Sequence, residues 1–170
     1  MKTIGYYTSP KLAEAVIQTI RQAFDSDLEW LDNSYPLVQT GNIDGETFPM
    51  VYDGGDNIDL RPDDSVDSYC FFEFAGGAIG NDDDPAVYTF NVVFWCNLDQ
   101  VNSSTEDYTW NMIGDVLRIL KPFAYDISFT TNDVFSEYNF ELERQQLMKK
   151  YTGFKIMFTV YGDNFMCDFG

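Results

Sequence analysis

Histidine is missing from this chain of 170 residues, and the ten Lys and Arg residues are outnumbered by twenty-eight Asp and Glu. Histidine is the side chain whose ordinary pKa lies nearest neutrality. Without it the chain cannot build a Ser-His-Asp or Cys-His nucleophile or a His-ligated zinc site. An enzyme would have to work with carboxylates, Tyr, Lys or a hard metal ion. We therefore predict a protein that is not an enzyme and that has no catalytic residues and no cofactor.

Cysteine and long apolar runs are also scarce. The three Cys residues, Cys70, Cys96 and Cys167, do not have the spacing of a zinc site. Cys70 and Cys96 lie in apolar, strand-like runs, where Cys usually behaves as a small buried hydrophobic residue. No stretch of eighteen uncharged apolar residues occurs, so we expect no transmembrane helix and no membrane partner. The N-terminus, MKTIGYYTSPKLAEAV, lacks the apolar segment of a signal peptide, and we expect a protein that is not secreted.

Aromatic residues, by contrast, are abundant. Phe, Tyr and Trp make up 17% of the chain and hydrophobic residues 45%, which is more than a disordered acidic chain contains. A length of 170 residues suits one domain with a substantial core. We predict a single domain over residues 1–170, whose excess of aromatic residues covers both faces of a sheet, one of them against neighbouring molecules.

Negative charge is concentrated in the middle of the chain. The formal net charge is -18, and residues 41–107 contain fifteen acids and one base, Arg61. Most of these acids lie in two Gly-containing loops, at about 53–67 and 75–85. A field of this sign repels nucleic acid, so we do not expect the chain to bind phosphate. The candidate contact residues in the two loops are Asp53, Asp56, Asp59, Asp63, Asp64, Asp67, Asp82, Asp83 and Asp84.

Two segments have the hydrophobic spacing of amphipathic helices. Residues 10–24 follow Ser9-Pro10, a favourable helix start, and repeat apolar residues every three or four positions. The second helix lies in SSTEDYTWNMIGDVLRILKP, where Ser104 and Asp107 have the spacing of a capping box. Its expected buried stripe is Tyr108, Met112, Ile113, Val116, Leu117 and Leu120.

Alternating apolar residues predict the strands. Residues 86–98 (AVYTFNVVFWCNL) are the strongest, and Val93 and Trp95 indicate that the second face of this strand is partly covered. Residues 151–161 (YTGFKIMFTVY) alternate in the same way. Further strands are expected within 47–55 and 56–64, which meet at Gly54-Gly55, and at 66–74, 124–130 and an edge-like segment, 134–142. Residues 25–47 are expected to be an irregular connection and residues 142–149 a short helical turn.

The order of these elements predicts the fold class. A helix, several strands, a second helix and further strands are typical of an α+β fold. Short connections between strands that are adjacent in sequence favour antiparallel pairing. The expected architecture is a twisted antiparallel sheet with two main helices packed on one face.

The Asp cluster of residues 53–67 has several chemical interpretations. A calcium loop of the EF-hand type needs D-x-[DN]-x-[DN]-G and a Glu at its twelfth position, and DGGDNIDLRPDD has neither. The Asp82–Asp84 triplet is consecutive, so its side chains alternate in direction on an extended chain. A carboxylate pair of the glycosidase kind is a further interpretation, which depends on a distance that the sequence does not give. We favour a solvated acidic surface without a metal ion. The residues to test for a metal-binding or carboxylate-based enzyme are Asp53, Asp56, Asp59 and the triplet.

The layout of the chain is similar to that of a known family. A capped N-terminal helix precedes NIDLRPDDSVDSYCFFEF, the strand YTFNVVFWCNL leads into the helix DYTWNMIGDVLRILK, and YTGFKIMFTVY forms the last strand. In this order of elements, over residues 9–161, the chain resembles the small neck and tail-completion proteins of tailed bacteriophages. These are tail-terminator-like, head–tail connector ring subunits, and the resemblance is greatest to those in phages of Bacteroides-type hosts.

The resemblance implies a structural protein of the virion neck or tail, made in the cytoplasm of the bacterial host. Copies of the chain would form a homo-oligomeric ring, a hexamer or a multiple of one, and would contact neighbouring neck or tail proteins. DNA would pass through the ring without specific binding, and the acidic loops 53–67 and 75–85 would line or rim its channel. The other functions to weigh are the metal-binding or carboxylate-based enzyme and an acidic adaptor that mimics DNA.

Overall fold

The computed structural model describes residues 5–6, 13–63, 67–78, 86–99, 107–142 and 151–162. These residues form an α+β fold, which confirms the predicted class. The helices are α1 (Ala13–Asp27) and α2 (Asp107–Leu120), and the strands are β1 (Asn33–Leu37), β2 (Gln39–Ile43), β3 (Glu46–Tyr52), β4 (Asn57–Asp59), β5 (Tyr69–Ala78), β6 (Val87–Asn97), β7 (Tyr125–Thr130) and β8 (Tyr151–Tyr161).

Both predicted helices pack an apolar stripe against the main sheet. α1 continues to Asp27, three residues beyond its predicted end. α2 ends at Leu120, two residues before Pro122, which cannot continue a helix without losing a hydrogen bond. The predicted start at residues 10–12 and the capping residue Ser104 lie outside the described residues. The fully or nearly fully buried residues of the two stripes are Val16, Ile17, Ile20, Phe24, Met112, Ile113, Val116 and Leu120.

The main sheet has five strands in the order β1-β5-β6-β8-β7. The three long central strands pair antiparallel, so that Phe94 lies opposite Cys70 on one side and opposite Phe154 on the other. β7 pairs antiparallel with β8. β1 pairs parallel with β5, because the chain turns back through a small second sheet between these two strands. The main sheet is therefore mixed, with its parallel pair at the β1 edge.

A second sheet is antiparallel and has the strand order β2-β3-β4. The prediction that residues 25–47 form an irregular connection is wrong, because β1 and β2 lie there. Gly41 in β2 lets the ring of Phe48 lie against the backbone, since a Cβ at this position would come within 2.7 Å of that ring. The predicted hairpin at Gly54-Gly55 is confirmed by the pairing of Tyr52 with Asn57.

The main sheet has a hydrophobic core on each face. The two helices cover one face, where Phe72 and Phe154 are fully buried. The small sheet and part of residues 134–142 cover the other face, where Val93 and Trp95 are buried. The prediction that this second face is partly covered is therefore confirmed, but the expectation that neighbouring molecules cover it is wrong for these residues, because other parts of the same chain bury them.

Residues 134–142 are predicted as an edge-like strand, and this prediction is wrong. They form turns and an irregular segment whose rings Phe135 and Tyr138 pack against Phe71. The segment bonds to the small sheet through Asn139, whose N–H donates to Thr47 Oγ1 at 3.0 Å and whose Nδ2 donates to the Gly45 carbonyl at 3.1 Å. Side-chain bonds of this kind replace the backbone ladder that a strand would form.

The predicted loop at 75–85 is partly wrong. Residues 75–78 continue β5, and they remain paired with β6 after a bulge between Phe74 and Gly76. Residues 79–85 lie outside the described residues, as do residues 143–149 of the expected helical turn.

Candidate functional site

Two of the candidate acids, Asp53 and Asp56, share the turn between β3 and β4. Asp53 Oδ1 accepts hydrogen bonds from the backbone N–H of Gly55 at 3.1 Å and of Asp56 at 2.9 Å. Gly54 has a φ of +92°, which a residue with a side chain rarely adopts. The Asp53 carboxylate therefore stabilises the turn, while the side chain of Asp56 is exposed to solvent.

Asp59 belongs to an ion-pair network around Arg61, the sole base of residues 41–107. Arg61 Nη2 lies 2.6 Å from Asp59 Oδ2, and Arg61 Nη1 lies 2.7 Å from Glu46 Oε2. The guanidinium also lies over the ring of Phe48, 4.4 Å from its centroid. Hydrogen bonds to Asp59 raise the pKa of Arg61. Each ion pair is partly exposed and contributes little to stability alone. Together the two pairs engage the guanidinium of Arg61, which neutralises part of the charge of Asp59 and Glu46.

Asp63 lines a shallow cleft of about 320 Å³ between the small sheet and residues 140–141. Asp59, Glu46 and Glu141 line the same cleft, with Arg61 among them. The cleft thus contains four carboxylates and one guanidinium. Its surface is strongly negative, and it lies on the same side of the molecule as the β2–β4 sheet.

The remaining candidate acids are not part of this group. Asp67 is half-buried at the start of β5, beside β1. Asp64 and the Asp82–Asp84 triplet lie outside the described residues. Within the described ranges, no group of three or more Cys, Asp or Glu is arranged to hold a metal ion.

A buried ion pair, which is not among the sequence predictions, lies on the second face of the main sheet. Lys155 Nζ is 3.2 Å from Glu73 Oε2, and each residue exposes 7% of its surface. Asn91 Nδ2 donates to the same oxygen at 3.2 Å. Burial and the neighbouring Glu73 carboxylate raise the pKa of the Tyr138 phenol. The sequence signal for this ion pair was Glu73, an acid within a run of aromatic residues, because an acid in a buried strand needs a partner.

The side of the molecule formed by α2 and β7 presents two aromatic rings to solvent. Trp110 is 58% exposed and Phe129 43%. Their ring centroids are 5.6 Å apart in an edge-to-face arrangement. We call this surface, with the neighbouring position Gly114, the α2–β7 surface. Sequence reasoning missed it, although Trp110 lies outside the buried stripe of its helix and a Trp there is unusual.

Two strands lie at sheet edges with one side open. β7 is the edge of the main sheet opposite β1, and β2 is an edge of the small sheet. Within the described residues, each of them pairs with one strand: β7 with β8 and β2 with β3. Residues 128–130 and 39–43 contain no charge and no Pro, the features by which edge strands commonly avoid association.

A second cleft, of about 340 Å³, lies between α1 and the start of the small sheet. Arg21 is buried at its base and donates from Nη2 to the Ser34 carbonyl at 2.7 Å. Glu14 and Tyr52 lie at its rim. The Arg21–Ser34 bond links α1 to β1, which gives this arginine a structural role.

The cysteines that the structure describes are not reactive groups. Cys70 and Cys96 are free thiols, fully buried in the core beneath the helices. Burial raises the pKa of both thiols, so the thiolate form that reacts is disfavoured. The predicted structural role of these two residues is confirmed, and Cys167 lies outside the described residues.

Comparison with protein-family models, with curated proteins and with solved structures found no match. Among the described residues, the structure contains no helix that is long and apolar enough to span a membrane.

Proposed function

We propose that this protein is a structural subunit of a bacteriophage virion, which forms a homo-oligomeric ring in the neck or tail and joins neighbouring neck or tail proteins. The small sheet and its acidic turns face the channel through which DNA passes. The observation that carries this proposal is the negative surface of the β2–β4 sheet, where the sole base is already paired with Asp59 and Glu46.

The charge of this surface suits a channel wall better than a binding site. Residues 41–63 contain six acids and one base, so a ring of six copies would place about thirty negative charges around its axis. Such charges repel the phosphates of DNA over a distance of about 8 Å at physiological ionic strength. A lumen of this kind lets DNA pass without sticking to the wall.

Protein assembly is the first test. The mass of the purified protein is measured by light scattering across a range of concentrations, and particles are examined by electron microscopy. We expect a closed ring. A protein that stays monomeric at high concentration, and in which no ring is seen, refutes the proposal. Saturable heat on calorimetric titration with calcium, magnesium or manganese would instead favour a metal-binding enzyme.

The role of the acids is tested by a triple variant, Asp44→Asn, Asp56→Asn and Asp63→Asn. These positions leave intact the Asp53 turn and the Asp59–Arg61 pair. Asp44 has a φ of 52°, which Asn adopts readily. The variant reduces the net negative charge of residues 41–63 from -5 to -2 per copy, so we expect its ring to retain DNA, measured by filter binding, at a lower spermidine concentration than the unmodified ring requires.

A matched control neutralises three exposed acids elsewhere: Asp27→Asn, Glu29→Gln and Glu137→Gln. It changes the net charge by the same amount and should leave DNA retention unchanged. If the control variant retains as much DNA as the Asp44, Asp56 and Asp63 variant, the position of the acids does not matter and the channel assignment is wrong.

A further inference from the structure

The α2–β7 surface has features that the isolated chain does not explain. Trp110 and Phe129 contact each other but leave about half of each residue in solvent. An aromatic pair of this kind loses the free energy that burial of its rings would provide. The pair therefore points to a contact outside the chain.

Gly114 adds a second, independent observation. It lies one turn after Trp110 on the exposed side of α2, in the middle of the helix. No atom of the described residues lies within 4 Å of the place where its Cβ would be, so nothing in the described part of the fold requires a glycine there. Glycine weakens a helix interior. A flat site beside an exposed Trp allows another backbone to approach the helix closely.

The edge of β7 adjoins the same surface. β7 has a bulge between Tyr125 and Ser128, at Asp126, but residues 128–130 pair regularly with β8. These three residues are exposed and uncharged. An uncharged, regular edge is able to accept another strand by backbone hydrogen bonds.

Charge identifies the class of partner. With a net charge of -18, two copies of the chain repel each other over most of their surfaces. The α2–β7 surface is different, because Trp110, Gly114 and residues 128–130 carry no charge. A basic partner would be drawn to the acidic small sheet instead, so the uncharged surface suits a second copy of this chain.

The complementary surface lies on the same chain. β2 has an uncharged outer edge, with Ile43 55% exposed at its end. We infer that the α2–β7 surface of one copy binds the β2 edge of the next, with the β7 edge and the β2 edge adding to each other. The contact joins two different surfaces, so repetition produces a ring or a filament. The choice of a closed ring over a filament rests on the proposed function. The contact between the α2–β7 surface and the β2 edge does not.

The test compares two variants that each replace an exposed aromatic residue on the helix-covered side of the sheet by Asp. Phe129→Asp lies on the inferred contact, and the control, Phe74→Asp, lies on β5, which is three strands away; Phe74 is 56% exposed. The association constant is measured by analytical ultracentrifugation. We expect Phe129→Asp to weaken association at least tenfold or so, as loss of an interface aromatic does, and Phe74→Asp to leave it unchanged.

Gly114→Gln provides a second variant that does not threaten folding, since Gln is a better helix former than Gly. It should raise the thermal midpoint of the monomer and weaken association. If the protein associates normally with both Phe129→Asp and Gly114→Gln, the contact lies elsewhere and the inference is wrong, although the ring proposal survives. If the unmodified protein does not associate at all, both fail.

Crosslinking decides which surfaces meet. In a background that carries Cys167→Ser, one preparation carries Thr130→Cys and another Asn42→Cys, and a short bis-maleimide is added to each and to their mixture. We expect crosslinked dimers in the mixture and none in the separate preparations. Dimers from Thr130→Cys alone would show that two β7 edges meet, which overturns the β7–β2 contact.

Discussion

Replacement of Lys155 by Met should destabilise the protein severely, because it leaves the Glu73 carboxylate without its cation. The two charged groups are 3.2 Å apart, and each residue is 93% buried, since each exposes 7% of its surface. At an effective dielectric constant of about 20, their attraction is about 5 kcal/mol. Most of that attraction offsets the loss of hydration of the two ions, so the net value of the pair is small.

Removal of one partner changes this balance. The remaining carboxylate keeps its hydrogen bond from Asn91 but loses the attraction, and the expected loss is about 3–5 kcal/mol in the free energy of unfolding. That is a large share of the roughly 5–15 kcal/mol that stabilises a typical domain. Equilibrium unfolding in urea, followed by circular dichroism and by Trp fluorescence, measures the change.

The double variant, Glu73→Gln with Lys155→Met, distinguishes a buried charge from a simple loss of packing. Gln keeps an acceptor for Asn91 and carries no charge, so the double variant should recover most of the stability, to within about 1–2 kcal/mol of the unmodified protein. Lys121→Met, at an exposed position, serves as the control and should change stability by less than about 0.5 kcal/mol. A Lys155→Met variant that loses less than about 1 kcal/mol would refute the reasoning, as would a double variant no more stable than the single one.

Three further changes have defined outcomes. Gly41→Ala should destabilise the protein by about 1–3 kcal/mol in urea unfolding, because its Cβ meets the ring of Phe48 at 2.7 Å; an unchanged midpoint would mean that the ring moves freely. Asn139→Ala should lose about 1–3 kcal/mol, because it removes three hydrogen bonds of the side chain: its Oδ1 accepts from the Thr47 N–H and hydroxyl, and its Nδ2 donates to the Gly45 carbonyl. Asn132→Ala on an exposed turn is its comparison. Burial raises the pKa of Tyr35 to about 12, so the folded state holds this proton more tightly than the unfolded state. Stability should therefore fall as the pH rises from about 10 to 12, and Tyr35→Phe should flatten that decline in thermal melts.

Elements with a strong hydrophobic period could be predicted from the sequence. Val16, Ile17, Ile20 and Phe24 recur at helical spacing and are all buried. The alternation along residues 86–98 also holds, with the even-numbered positions facing the helices. In these segments the apolar residues recur on one face, and that face packs against the core. The local sequence pattern therefore predicts which residues are buried.

The small sheet could not be predicted in the same way. β2 (QTGNI) has few strand-forming residues, and its pairing depends on the fit of Gly41 beneath Phe48. Residues 134–142 have the composition of a strand, but Asn139 uses its side chain to bond the Thr47 N–H and the Gly45 carbonyl of the nearby backbone. Tertiary contacts determine both the pairing of β2 and the irregular structure of residues 134–142.

The candidate site was predictable only as a concentration of charge. The sequence shows that acids crowd residues 53–67, but not that Asp53 closes its own turn or that Arg61 is paired twice. Lys155 alternates with buried residues and would ordinarily be placed in solvent. The sheet register brings it to Glu73, which no local pattern reveals.

The bond between Thr47 and Asn139 joins residues that are ninety-two positions apart. Protein synthesis proceeds from the N-terminus at about 5–20 residues per second, so Asn139 is made roughly 5–20 seconds after Thr47. Until then Val51 and Leu60 lack Val134, part of their buried cluster. The small sheet therefore has a high contact order, and it should complete its folding only after residues 134–139 have been made.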